Sequence, residues 1–226
     1  MRDKIVDFLK DVNREGVVEF TRFLDESDFY TAPCSTKFHL PCEGGLVEHT
    51  VNVTNCALEL NEKYGNICPD DSVILAAIGH DLCKVNFYKQ VDEGPTDAQM
   101  RYLTSLTTKA GIRIPAKLNK AYVGTLIDFM LKTYKKGMII PPYTPNYQIE
   151  DQMPLGHGEK SLFIMSQFFK LTLEESLAIR WHMGAFDLNF ESLYQKSAYN
   201  EAVKNSKLVT ILQLADLEAT NLLEVV

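Results

Sequence analysis

The chain has 226 residues, 46% hydrophobic and 23% charged, with a net charge of −7 at pH 7, a composition that supports a buried core and excludes disorder, collagen-like repeats and low-complexity tails. The longest apolar runs, such as Val73 to Ile78, fall far short of the roughly 18 residues of a membrane span, and the polar start Met1-Arg2-Asp3-Lys4 is no signal peptide, so a cytoplasmic protein with no membrane partner is expected. Five cysteines (Cys34, Cys42, Cys56, Cys68 and Cys83) form no CxxC pair, are odd in number and sit mostly among apolar neighbours, which fits reduced thiols better than disulfides or a zinc ribbon.

In chain order the apolar spacing is helical almost throughout. Ile5, Phe8, Leu9 and Val12, then Val17, Phe20, Phe23 and Leu24, predict two short amphipathic helices broken near Gly16. A loop from Phe29 to Gly45 follows, and Gly44-Gly45 opens a helix from Leu46 to about Tyr64. Pro69-Asp70-Asp71-Ser72 supplies proline and capping residues for a helix from Val73 to about Lys84, apolar on all sides and therefore expected to be buried. Val85 to Lys89 and Tyr147-Gln148-Ile149 have strand-like composition and are expected to pair as a short antiparallel ribbon.

Between those strands lies an insert of about 92–145, expected to be helical, with a helix from Leu118 to Tyr134. Within 96–140, Arg101, Lys109, Arg113, Lys117, Lys120, Lys132, Lys135 and Lys136 stand against Asp97 and Asp128, a net of +6 that leaves −13 for the remainder. Such asymmetry can steer an anionic substrate; a solvated helix face with lysines for solubility is the other reading. One helix is expected after Gly156-His157-Gly158, another from the capping box Thr172 to Glu175, and a last from about Asn200 to Leu223. No repeat and no linker marks a second domain, so 1–226 reads as a single all-α domain with a small β-ribbon and a helical insert.

The chemistry is expected where ionisable residues interrupt apolar helices. His80 and Asp81 end the apolar run at Ile78-Gly79, and burying a carboxylate there costs several kcal/mol unless a cation or donor compensates it. Asp216 stands four and seven residues after Leu212 and Val209 and should likewise be buried. His49 lies a turn from Leu46 and Val53, and His182 a turn from Ala178 and Ile179, on core-facing stripes. Taken singly, a buried histidine is usually a hydrogen-bonded core residue and a buried aspartate half of an ion pair. Yet no Arg or Lys lies within a turn of Asp216, and only Lys84 is near Asp81, so a divalent metal with mixed nitrogen and oxygen ligands satisfies the set most simply.

The segments Gly44-Gly45-Leu46-Val47-Glu48-His49-Thr50, Gly79-His80-Asp81-Leu82-Cys83-Lys84, His157-Gly158-Glu159-Lys160-Ser161, Arg180-Trp181-His182 and Leu214-Ala215-Asp216 together resemble the HD phosphohydrolase superfamily. The order H, HD, H, H, D is matched across residues 49 to 216; the adjacent HD pair alone is a weak signal, the five motifs in order a strong one. Their wording is similar to the HD domain of YhaM-type 3'-5' exoribonucleases, without the N-terminal OB domain of those enzymes, and to standalone phage-type HD hydrolases. The resemblance implies an HD-domain helical bundle with the insert between the HD motif and the third histidine motif. It further implies two divalent ions per chain (Mn, Fe, Ni, Co or Zn), the first held by His49, His80, Asp81 and Asp216, the second by His157 and His182 with Asp81 bridging. Trp181 stands where many relatives carry another histidine.

The activity so implied is attack of a metal-activated hydroxide on a phosphate ester of a nucleotide or the phosphodiester of a short oligonucleotide, with Asp81 and Lys84 as the catalytic residues. Lys84 is expected either to contact phosphate or protonate the leaving oxygen, or to pair with Asp81. Lys37, His39 and Lys160 are further expected substrate contacts, with a solvated surface lysine as the alternative for Lys160. Glu48 and Glu159 are expected as acceptors for ligand-ring N–H groups or as plain surface carboxylates. Two other functions remain open: a 3'-5' exonuclease on single-stranded RNA or DNA, with the basic insert along the strand, and a non-catalytic regulatory HD module that binds a nucleotide.

Overall fold

The structure is a computed structural model describing residues 1–224 apart from Lys37 and Asp92. Among these residues the order is α1 (Arg2–Lys10), α2 (Val17–Glu26), α3 (Gly45–Lys63), α4 (Asp70–Gly79), β1 (Tyr88–Gln90), α5 (Asp97–Ala110), α6 (Lys120–Lys132), β2 (Tyr147–Ile149), α7 (His157–Met165), α8 (Leu173–Trp181), α9 (Leu193–Asn205) and α10 (Lys207–Glu218). It is an all-α bundle with a small antiparallel ribbon, and no described helix is long and apolar enough to cross a membrane. The chain divides into two compact units, one of residues 1–88 and 150–226, the other of residues 89–149.

In the first unit α3, α4, α8 and α10 surround the core. Phe20, Phe29, Leu46, Leu75, Ile78 and Ile179 are fully buried in it. Helix α4 is buried on every side from Ser72 to Gly79, as its unbroken apolar run requires. It begins earlier than expected, after Pro69, and ends earlier, at Gly79, because the Asp81 backbone (φ −109°, ψ 18°) leaves the helical region and Leu82–Lys84 tightens into a 3-10 turn. The N-terminal helices break before Gly16, as the glycine implied. The expected last helix is instead α9 and α10, parted at Ser206 (φ −133°, ψ 118°), and α10 continues into a π-turn at Ala219–Leu223.

Two glycines allow the close approaches that assemble this unit. A Cβ at Gly45, in the first turn of α3, would lie 2.2 Å from the Leu40 carbonyl oxygen, so only glycine lets the preceding loop fold against the start of the helix that carries His49. A Cβ at Gly158 would lie 2.1 Å from the Arg180 carbonyl oxygen, so glycine lets α7 approach α8.

The second unit has its own small core of Leu103, Tyr122, Val123 and Leu126. Its helices carry strong local signals. A full capping box of Thr96 and Gln99 opens α5, left-handed Gly111 (φ +68°) closes it, and the Asn119 side chain caps α6 by accepting from the Tyr122 N–H at 2.7 Å. The ribbon is shorter than the sequence suggested: Val85 closes the 3-10 turn by donating to the Leu82 carbonyl, and the strand begins at Tyr88, after a first cross-strand bond from the Glu150 N–H to the Phe87 carbonyl.

Candidate metal centre

Two helix ends aim two histidines. His80 and His182 are the C-cap residues of α4 and α8, and each ring turns back on its own helix: Nδ1 donates to the carbonyl of Ala77 (2.6 Å) and of Ile179 (2.8 Å) respectively. Each bond satisfies a carbonyl that the helix end leaves open, and fixes the tautomer with Nε2 as the unprotonated nitrogen. His49, buried in α3, donates Nδ1–H to the Glu224 carboxylate at 3.1 Å, and Glu224 is held by Asn52 at 3.0 Å. Its Nε2 then lies 3.3 Å from His80 Nε2 and 3.3 Å from Asp216 Oδ1.

Asp81 joins this group to a second. Its Oδ2 lies 3.5 Å from Nε2 of both His49 and His80, while its Oδ1 lies 2.8 Å from His157 Nε2 and 3.7 Å from His182 Nε2. Among the described residues the ligand atoms fall into three sets, each within 4.8 Å: His49, His80 and Asp216; Asp81, His157 and His182; and Cys34, His39 and His49, which shares His49 with the first. The donor chemistry fits divalent metal. His182 Nε2 is buried with no hydrogen-bond partner, and two imidazole nitrogens face each other at His49 and His80, an arrangement that costs free energy unless an ion or proton lies between them. Asp216 is not fully buried as expected; its side chain keeps 18% exposure because it lines a cavity.

The electrostatics divide the histidines. Burial opposes charge on Asp81, but Lys84 and the neighbouring histidines hold its carboxyl well below the usual range. Burial would also raise Asp216, yet the bond from His49 and the charge of His80 lower it. Burial opposes a proton on His157 as well, but hydrogen bonds to Asp81 and Cys83 lift it to about 10. His182 is driven the other way, to about 3, by burial and by the adjacent His80. Before a metal binds, the clusters therefore hold protons on particular nitrogens that an incoming cation must displace.

The expected supporting residues fare differently. Lys84 is buried, its Nζ 2.5 Å from Asp81 Oδ2 and 3.3 Å from Cys34 Sγ; burial would lower its pKa, but Asp81 and Cys34 raise it well above the usual value. His39 lines the cavity with its Nε2 3.0 Å from Cys34 Sγ, and burial together with Lys84 lowers it to about 4, so the ring is neutral at pH 7. Lys160 is no solvated lysine: it is 5% exposed, 2.6 Å from Asp151, with its ammonium 4.7 Å over the Phe87 ring. Glu159 pairs with Arg180 at 2.6 Å instead of serving a histidine. The carboxylate that accepts from His49 is Glu224, not Glu48. Lys37 lies outside the described residues.

Among the residues that sequence reasoning passed over, Glu224, Cys34 and Cys83 reach the site. Glu224 carried no signal, and Cys34 and Cys83, read as core thiols, in fact touch Lys84 and His157. All five cysteines are free. The cavity in front of the clusters measures about 370 Å³, within the range of small-molecule sites, and is lined by His49, Asp81, Lys84, His157, His182 and Asp216 among others. Such a site can hold cations beside a buried lysine, the arrangement suited to an anionic oxygen ester.

The chain is similar to a curated protein, the dihydroneopterin 2',3'-cyclic phosphate phosphodiesterase of Methanocaldococcus jannaschii. The two are 35% identical over 103 residues, which cover 43% of this chain and 39% of that protein, well under half of either. At superfamily level the likeness fits the phosphohydrolase resemblance of the motifs. No family model and no solved structure matches the chain.

Proposed function

We propose that the chain is a metal-dependent phosphohydrolase cleaving a phosphate ester of a small nucleotide-like molecule or the phosphodiester of a short oligonucleotide, a cyclic phosphate diester included. The observation that carries this reading is the Asp81 carboxylate, one oxygen toward His49 and His80, the other toward His157 and His182. The reading assigns His49, His80, Asp81 and Asp216 to one divalent ion and His157 and His182, with Asp81 shared, to a second, drawn from Mn, Fe, Ni, Co or Zn. When bound, such ions lower the pKa of an attacking water and stabilise negative charge at phosphorus.

The chain's own residues supply the rest. Glu224 and the carbonyls of Ala77 and Ile179 hold three imidazoles in the tautomer that presents a lone pair. Lys84 keeps its proton, since Asp81 binds it so closely, and its buried positive charge favours a phosphoryl oxygen more than it favours proton transfer. The activity named for the archaeal relative, on a cyclic phosphate, favours the small ester. One observation favours a second reading, stepwise cleavage of a single strand: the basic segment between residues 96 and 140.

Elemental analysis of the purified protein tests the assignment. One to two transition-metal ions per chain are expected, and His157→Ala should lose one and keep the other. Complete metal loss in His157→Ala would refute the division of ligands, and a wild-type protein that takes up no metal would refute the metal-dependent reading.

A further inference from the structure

An aromatic ring stands where the core cannot explain it. Phe186 is 81% exposed, yet it lines the same cavity as the histidines. Leaving so much apolar surface in water gains nothing for folding, and the turn that carries it is nevertheless firmly held. It sits in the 3-10 turn Gly184–Asp187, entered through left-handed Gly184 (φ +55°), and Asp187 accepts from Arg180 Nη1 at 2.7 Å. The same guanidinium pairs with Glu159 and lies 4.0 Å over the Trp181 ring, so three side chains fix the base of the turn. Gln213, behind Gly184, donates to the Trp181 carbonyl and accepts from the Tyr199 hydroxyl.

A second apolar group lines the cavity from α10. Leu217 is 47% exposed, directly follows Asp216, and is accompanied by Asn221 one turn on. Asn221 donates its amide to the Leu217 carbonyl, which leaves its own carbonyl oxygen for a ring N–H. Phe186 follows His182 by four residues as Leu217 follows Asp216 by one, so both apolar groups adjoin the proposed metal ligands in the chain.

We infer that Phe186 and Leu217 form a slot for a flat heterocycle joined to the phosphoester, so that the site prefers esters carrying a nucleobase or a pterin over esters of an aliphatic alcohol. The inference rests on the phosphohydrolase reading for its phosphate end, and on the exposed ring carried by a pinned turn for its heterocyclic end. Stacking on an aromatic side chain is worth enough to change affinity by about tenfold or more per ring. It tolerates any planar heterocycle, which is why purine and pterin share the prediction and the assay separates them.

The test compares wild type, Phe186→Ala and Phe186→Tyr on guanosine 2',3'-cyclic phosphate, dihydroneopterin 2',3'-cyclic phosphate and glycerol 1,2-cyclic phosphate, alongside guanosine and neopterin binding to metal-free protein by calorimetry. Phe186→Ala should raise KM about tenfold on whichever ring-bearing ester is turned over, leave kcat within about twofold, leave the glycerol ester unchanged, and weaken ring binding by about the same factor. Phe186→Tyr should restore all of these. An equal loss on all three esters, or ring binding indifferent to Phe186, overturns the slot. Should no ester be hydrolysed while ring binding still depends on Phe186, the hydrolase reading fails and the slot stands.

Discussion

The two units solve opposite problems. The first holds a large core and places an aspartate and three histidines at its floor, each at most 3% exposed; among the described residues the second buries a core of four hydrophobic residues and keeps its charges on the surface. Residues 89–149 carry nine basic against four acidic residues, a net of +5 in a chain of −7. In the first unit, helix ends are shaped by the site: α4 and α8 both stop where a histidine turns back onto its own helix. In the second, helices start and stop by local capping, at Thr96, Gly111 and Asn119. A buried ionisable cluster is thus built on long-range packing, whereas a basic surface needs little more than local propensity.

The sharpest way to break the comparison is at Asp81. Asp81→Asn should abolish turnover, by about a thousandfold or more, and lower metal content together, since one carboxylate faces both clusters. Full activity in that variant would end the shared-carboxylate account.

Next in size are the cores. Leu75→Ala, in the fully buried α4, should cost about 2–5 kcal/mol in chemical denaturation, with metal binding weakened as α4 loosens. Leu126→Ala truncates one of the four buried hydrophobic side chains described in the second unit's core. It should strip hydrogen-exchange protection from α5 and α6 while leaving the first unit protected. Loss of protection throughout the chain would mean that the second unit has no separate stability.

The proton held by His157 gives an effect of intermediate size. Its pKa is raised to about 10, so the ring is protonated at neutral pH and metal must expel that proton. Apparent affinity at the second cluster should therefore rise about tenfold per pH unit between pH 7 and 9 and flatten above about 10. Calorimetry in buffers of different ionisation enthalpy should record about one proton released, and a pH-independent affinity would contradict the assignment. The smallest effect belongs to the basic surface. Replacing the exposed Lys132, Lys135 and Lys136 with glutamine should weaken an oligonucleotide severalfold and leave a mononucleotide untouched. Equal effects on both would remove the case for a strand.

Much of this was legible in the sequence, for a physical reason. Buried charge among apolar residues is conspicuous, so His49, His80, Asp81 and His182 could be read from the runs they interrupt, and the structure brings them together with His157 and Asp216. Glu224 could not. In a continuous α-helix it would sit about 80° around from Asp216, and the π-turn at Ala219–Leu223 changes that register and carries it to His49. The burial of Lys160 was not legible because its partner Asp151 lies in the segment before α7, where no helical spacing links the two. The break at Ser206 was missed because apolar periodicity runs through it, and only its extended backbone parts α9 from α10.

Product analysis by mass spectrometry would test the central claim most directly. The manganese-loaded protein would be incubated with pooled 2',3'-cyclic phosphates, ribo- and deoxynucleotides and short RNA and DNA oligomers, with Asp81→Asn in parallel. The account predicts that wild type adds one water across a phosphate ester of a small ring-bearing substrate, and that Asp81→Asn adds none. An unchanged pool, or the same products from Asp81→Asn, would contradict it.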